Sequence, residues 1–205
     1  MKDIIITEEG KYSYTKRDDG DRTLLFLRRF MDPSKLSILD GTGNVGGDTI
    51  LFGLHFNKVH SIEMNPENFK ALSHNVELYK LKNVELHEGD TTKLYKDFPS
   101  DVLYLDPPWG GPDYKEKKDL DLSVGSHRVD VFLRDSILAK DASWKPRWIV
   151  LKLPFNYNWD RLEVLEGIES IHMLRIRNYR IVIMKIQSEV AVPLKKMRTR
   201  RARRI

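Results

Sequence analysis

The 205 residues include no cysteine, which excludes a disulfide framework and any thiolate metal site. Long apolar runs are missing as well. No stretch approaches bilayer-spanning length, and residues 1–10 lack the basic start and apolar centre of a signal peptide. These absences lead us to expect a soluble intracellular protein, nuclear or cytoplasmic, with one domain and a substantial core. There is no internal repeat and, before the last residues, no low-complexity block.

Excess positive charge is also scarce until the end of the chain. Residues 195–205, KKMRTRRARRI, carry two Lys and five Arg, more than the whole net charge of +5, so the rest is slightly acidic. Residues 191–205 are expected to form a disordered basic tail. Because guanidinium groups match phosphate, this tail is expected either to tether RNA or to serve as a nuclear import signal.

The informative stretch is Leu105-Asp106-Pro107-Pro108-Trp109-Gly110-Gly111-Pro112-Asp113-Tyr114. Asp101 to Leu105 alternates as a buried strand does, and the two prolines stop it. Asp106 and Trp109 are thereby placed at the carboxyl end of a strand, where open α/β sheets bind ligands. The Asp106 carboxylate and the Pro107 carbonyl are acceptors, and Trp109 offers a flat π face. An exocyclic amine on an aromatic base suits all three. Asp106, Pro107, Pro108 and Trp109 are the catalytic candidates.

Upstream, Lys35 to Asp40 reads as a strand running into Gly41-Thr42-Gly43-Asn44-Val45-Gly46-Gly47-Asp48-Thr49, then a mostly buried helix. Strand, glycine-rich turn and helix hold nucleotide-like cofactors because glycines let the backbone approach closely. Gly41-x-Gly43-x-x-Gly46 also satisfies the dinucleotide fingerprint, so a nicotinamide enzyme has to be weighed. Asp40 decides against it, since an anion there repels a pyrophosphate and attracts a cation. S-adenosylmethionine carries an ammonium and a sulfonium. Residues 58–63 form a second strand ending in Glu63, suited to ribose hydroxyls, and Asn65-Pro66 cap the next helix. Residues 83–90 give a third strand ending at Asp90, and His87 is read as a surface histidine.

Asp106-Pro107-Pro108-Trp109 resembles the (Asp/Asn/Ser)-Pro-Pro-aromatic signature of methyltransferases that act on base amines. The continuation Trp109-Gly-Gly-Pro-Asp-Tyr114 is similar to the trimethylguanosine synthase family, the RNA cap guanine-N2 methyltransferases. The resemblance runs from about Asp40 to Asn156, and weakly over residues 1–34. It implies a Rossmann-like, S-adenosylmethionine-dependent methyltransferase fold of the α/β class: a mostly parallel seven-stranded sheet closing in a C-terminal antiparallel hairpin. It also implies that S-adenosyl-L-methionine, leaving as S-adenosyl-L-homocysteine, is held by Asp40, Thr42, Gly43, Asn44, Gly46, Gly47, Thr49, Glu63, Met64, Asp90, Thr91 and Asp106. Asp90 would accept from the adenine amine. A 7-methylguanosine RNA cap would be held by Trp109, Tyr114, Asn156 and Lys11, without a metal.

The chain departs from the family in several places. Asn44 replaces a glycine, Asp48 an asparagine and Phe155 an arginine, and Asp106 stands where the family usually has serine. Because Asp106 is more typical of adenine-N6 enzymes, adenine methylation of RNA or DNA is the alternative activity. A catalytically silent cap- or RNA-binding module is a third reading.

Residues 1–34 are expected to form a short leader near the substrate site, with a strand-like Ile4-Ile5-Ile6, a turn at Asp18-Asp19-Gly20 and a helix over 21–31. Residues 35–190 form the catalytic domain. Within it, 115–121 is expected as a mobile loop, 129–138 as a helix, 148–154 as a fifth strand, and 171–177 with 180–186 as a hairpin.

Overall fold

A computed structural model describes residues 3–13 and 15–187, and the expected basic tail lies outside the described residues. Among the described residues there are nine strands: β1 (Ser37–Asp40), β2 (Lys58–Glu63), β3 (Val84–Glu88), β4 (Val102–Leu105), β5 (Ser123–Val124), β6 (His127–Arg128), β7 (Trp148–Pro154), β8 (Ile168–Ile176) and β9 (Tyr179–Ile186). The helices are α1 (Gly10–Ser13), α2 (Arg17–Leu27), α3 (Gly47–His55), α4 (Pro66–Leu78), α5 (Thr91–Leu94), α6 (Val129–Phe132) and α7 (Asp160–Glu163). Seven strands make one sheet in the order β3-β2-β1-β4-β7-β9-β8, while β5 and β6 pair separately. From β3 to β7 the pairing is parallel; β9 runs antiparallel to both β7 and β8. This is the mostly parallel sheet with a C-terminal hairpin that the motifs imply.

Period-two alternation assigns the strand side chains to two cores. Leu39, Leu103, Leu105, Ile149 and Leu151 pack with Val129, Phe132, Leu133 and Ile137 on one face. Ile38, Val59, Val102, Tyr104 and Val150 pack with Phe26, Leu27, Phe52 and Phe56 on the other. Every residue of β4 and β7 is buried, as expected of central parallel strands covered on both sides.

Several local expectations are corrected. Ile4 to Ile6 form no strand and are 41–45% exposed. The Asn75 side chain of α4 takes up their backbone instead, accepting from Ile5 N and donating to Ile5 O, both at 2.8 Å. Asp18 and Asp19 lie in the first turn of α2, where carboxylates complement the helix dipole, and Gly20 faces Leu51 within that helix. Residues 115–121 are tied down: Leu120 N donates to Asn156 O at 2.7 Å and Asn158 N to Leu120 O at 3.0 Å. The helix after β6 is α6 continued by a π turn, Leu133–Ile137, rather than one regular α-helix. His87 is half-buried, stacked on Phe98 with ring centroids 3.6 Å apart and hydrogen-bonded to His60. Among the described residues, no helix is long and apolar enough to cross a membrane.

Candidate active site

All four strands from β3 to β4 end at a carboxylate on the same edge of the sheet. Asp40 closes β1, Glu63 closes β2, Asp90 follows β3 by two residues and Asp106 follows β4 directly. The parallel register brings these acids together, although up to 66 residues separate them in sequence.

The glycine loop is fastened from both sides. Gly41 N donates to Tyr104 O and Gly43 N to Ile62 O, both at 2.9 Å. A Cβ on Gly43 would lie 2.5 Å from Ser61 Oγ and 2.9 Å from Leu72 Cδ2, so only glycine fits that cradle. Asn44 adopts φ 46° and Gly46 φ 97°. The asparagine thus keeps the left-handed turn that its type tolerates. Replacing Asn44 with alanine should cost about 1 kcal/mol of stability, and Asn44→Gly should cost almost nothing. Urea unfolding of both variants measures the difference.

Asp40 is fully buried; it accepts from Thr42 N at 3.1 Å and from Thr49 Oγ1 at 2.6 Å. Burial pushes its carboxyl up to about 7, against the Thr49 hydrogen bond. A cation arriving beside it lowers that value, so binding of a cationic ligand there is coupled to proton release. Glu63 accepts Asn65 N with one oxygen and Asn44 N with the other, both at 2.7 Å. Burial raises its carboxyl while those backbone donors oppose the shift.

Asp90 caps α5 through Thr92 N and Thr92 Oγ1, at 2.9 and 2.8 Å, and Thr91 Oγ1 donates to Gly41 O. Gly125, at the tip of the β5–β6 ribbon with φ 54°, packs so closely that an added Cβ would fall on the Asp90 carboxylate. The ribbon therefore walls the Asp90 end of the site. Met64 is 56% exposed at the rim.

Asp106 joins the two motifs, since its backbone N donates to Thr42 Oγ1 of the glycine loop at 2.7 Å. Pro107 is buried and Pro108 exposed. Trp109 is half-buried, with an edge-on contact to Tyr114 at 5.1 Å between centroids and a tilted one to Tyr179 at 6.0 Å. Its Nε1 is buried and makes no hydrogen bond of good geometry, but it lies close enough to the Asp106 carboxylate to favour the charged form. Tyr114 OH accepts from Asn178 Nδ2, and Asn156 Nδ2 donates to the carbonyls of Tyr114 and Lys117. These two side chains lock the Trp109 turn against the end of β7 and the hairpin. Lys11 lies on α1 and is ion-paired with Glu8.

Lys152 was not foreseen from the sequence. It lies within the apolar run of β7 and is 5% exposed, with Nζ 2.6 Å from Asp106 Oδ2, 2.8 Å from Thr15 Oγ1 and 3.6 Å from Asp48 Oδ2. A lysine at a position flanked by Leu151 and Leu153 was the available signal, because buried lysines are nearly always paired. Burial raises the Asp106 carboxyl to about 6, while Lys152 acts in the opposite direction. Asp106 is consequently an anion at neutral pH, with Oδ2 held by the ammonium and the Trp109 indole N–H also close enough to favour its charged form.

Comparison with known proteins gives a consistent picture. A sequence model described as RNA cap guanine-N2 methyltransferase matches residues 35–200. Uncharacterized protein L320 of Acanthamoeba polyphaga mimivirus is 31% identical over 154 residues, covering 74% of this chain and 59% of that protein. The trimethylguanosine synthase of Schizosaccharomyces pombe is 31% identical over 107 residues, 48% of this chain and 44% of that enzyme. The chain thus spans roughly half the length of these relatives. Among solved structures, precorrin-6y C5,15-methyltransferase from Geobacter metallireducens shares the fold, with a TM-score of 0.61 at 17% identity, covering 90% of this chain and 94% of that one.

Proposed function

This chain belongs to the RNA cap guanine-N2 methyltransferase family, and we propose that it methylates the exocyclic N2 amine of a 7-methylguanosine RNA cap, using S-adenosylmethionine. The products are 2,7-dimethylguanosine and, after a second round, 2,2,7-trimethylguanosine. The observation that carries this reading is Asp106, whose backbone N–H is tied to Thr42 of the glycine loop while its carboxylate is held by Lys152 beside the Trp109 ring.

The residues fit the cofactor. The Gly43 cradle would be filled by any Cβ, and the acidic edge suits a ligand with two cationic centres better than a pyrophosphate. Asp40 would face its amino-acid end, Glu63 the ribose, and Asp90 with Thr91 the adenine. When bound, S-adenosylmethionine supplies a methyl group whose bonding electrons remain on sulfur, giving S-adenosylhomocysteine.

An exocyclic amine is a poor nucleophile because its lone pair is delocalised into the ring. The Asp106 carboxylate and the Pro107 carbonyl, by accepting hydrogen bonds from its two N–H groups, orient that lone pair for in-line attack. The nitrogen becomes positive as the N–C bond forms, and the Asp106 carboxylate stabilises this charge before a proton leaves to it or to water. Below about pH 6 Asp106 protonates and the acceptor is lost, so turnover should fall on the acid side.

A 7-methylguanine ring is cationic and stacks on an indole more tightly than guanine does. In the presence of S-adenosylhomocysteine, 7-methylguanosine triphosphate is expected to quench tryptophan fluorescence and guanosine triphosphate to do so weakly. Trp109→Ala should abolish the difference and weaken cap binding about 10-fold or more. Methyl transfer to a capped dinucleotide, its unmethylated counterpart and an adenine oligonucleotide tests the activity directly. Preference for the oligonucleotide would replace the cap reading with adenine-N6 methylation, the reading that an aspartate at position 106 favours.

A further inference from the structure

We propose that Lys152 is a positioning residue for methyl transfer, which clamps the Asp106 carboxylate so that one oxygen is committed to the lysine and the other faces the acceptor amine. This inference rests on the proposed function for its substrate but on the structure for its geometry.

Leu105 and Leu151 are the last register partners of β4 and β7, so Asp106 and Lys152 follow side by side at the ends of that pairing. The ammonium lies 2.6 Å from Asp106 Oδ2, 3.6 Å from Asp48 Oδ2 and 2.8 Å from Thr15 Oγ1, and sits 5.3 Å from the centre of the Tyr179 ring. Asp48 also accepts from Tyr104 OH at 2.9 Å and from Thr15 Oγ1 at 3.0 Å. Asp48 and Asp106 are thus the two acids that touch this one buried lysine. Two acids at these positions crowd each other in a buried setting, and Lys152 is the cation in contact with both.

The clamp has a chemical consequence. A carboxylate with both oxygens available can grip two neighbouring N–H groups of a base, whereas one held by Lys152 offers a single acceptor. Asp106 then reads one amine proton and leaves the Pro107 carbonyl to read the other. The charged and titratable groups around Asp106 are Lys152 on β7, Asp48 on α3, Asp40 on β1, Tyr104 on β4 and Tyr179 on β9. The Trp109 indole N–H also approaches the carboxylate and favours its charged form, although without good hydrogen-bond geometry. Lys152 supplies the only cation among them.

The test compares wild type with Lys152→Met and Lys152→Arg, measuring methyl transfer from pH 5.5 to 9.5. Lys152→Met is expected to lose about 10-fold in kcat at pH 7 and to recover most of it by pH 9, because its acid limb moves up by about two units. Lys152→Arg should keep the limb within half a unit of wild type. A uniform loss at every pH would mean a merely structural lysine and overturn the proposal. Should Lys152→Met not fold, Asp48→Asn combined with Lys152→Met restores the cluster's net charge and should still show a displaced limb, by less than the single variant because Asp48 also raises the Asp106 carboxyl.

A readout that needs no methyl acceptor separates this proposal from the function. The 13Cγ resonance of Asp106 in 13C-aspartate-labelled protein, assigned through Asp106→Asn, reports its titration directly. A midpoint more than one unit higher in Lys152→Met supports the clamp, even if wild type proves inactive on caps, in which case only the substrate reading falls. An unchanged midpoint overturns the clamp whatever the substrate.

Discussion

Asp106→Ala lowers turnover on a capped dinucleotide by about 10²- to 10³-fold while affinity for S-adenosylhomocysteine changes only a few-fold. The expectation follows from where the carboxylate is held. Its backbone N–H, which the substitution retains, is what bonds to Thr42 in the glycine loop. Its side chain is turned away from that loop, to Lys152. The lost group is therefore one that acts on charge developing at the acceptor nitrogen, a transition-state interaction that appears in kcat more than in cofactor binding. Single-turnover rates together with calorimetric titration of S-adenosylhomocysteine separate the two quantities. Equal losses in both would place Asp106 among the cofactor ligands and remove it from the chemistry. Asp106→Asn guards against a trivial result, since it keeps the shape and one acceptor but leaves Lys152 with Asp48 alone, and it should fall between wild type and alanine.

The second large effect is expected at the glycine loop. Gly43→Val should weaken S-adenosylhomocysteine binding by at least 10-fold and cost about 1–3 kcal/mol of stability. The new Cβ alone would lie 2.5 Å from Ser61 Oγ and 2.9 Å from Leu72 Cδ2, and the added methyls lengthen the overlap. Relief requires the loop to move off β2, which breaks the Gly43 N to Ile62 O bond of 2.9 Å and takes Asn44 N away from Glu63. The affinity loss should exceed what lowered stability explains, as judged by titration well below the variant's melting temperature. Binding at wild-type strength would show that the cofactor does not sit on this loop.

Much of this molecule was legible in the chain because its signals are local. Asp101 to Leu105 followed by Pro107 and Pro108 gave β4 and its end, and Asn65-Pro66 gave the start of α4, where Asn65 Oδ1 accepts from Glu67 N at 2.9 Å. The β8–β9 hairpin was readable from its alternation, although its turn falls at Arg177 and Asn178 rather than at the expected Asn178 and Tyr179. Where local pattern misled, a distant partner outweighed it. Ile4 to Ile6 had the composition of a strand, but Asn75 satisfies their backbone. Asp18-Asp19-Gly20 had the composition of a turn, yet Asp19 sits in α2 and pairs with Arg177 from the far end of the chain at 2.8 Å.

By itself the sequence determined the strand–glycine loop–helix unit, the Asp-Pro-Pro-Trp turn, and the order of four strand-ending acids. Each of these depends on residues adjacent in the chain, where steric and hydrogen-bond preferences act directly. Only the tertiary structure decided what those acids face. Lys152 is 46 residues from Asp106, and Thr15 is 137 residues from Lys152, so neither meeting leaves a trace in local sequence. Parallel pairing of β4 with β7 brings the lysine and the aspartate side by side, and burial in a low-dielectric interior turns that adjacency into an ion pair that orients the catalytic carboxylate.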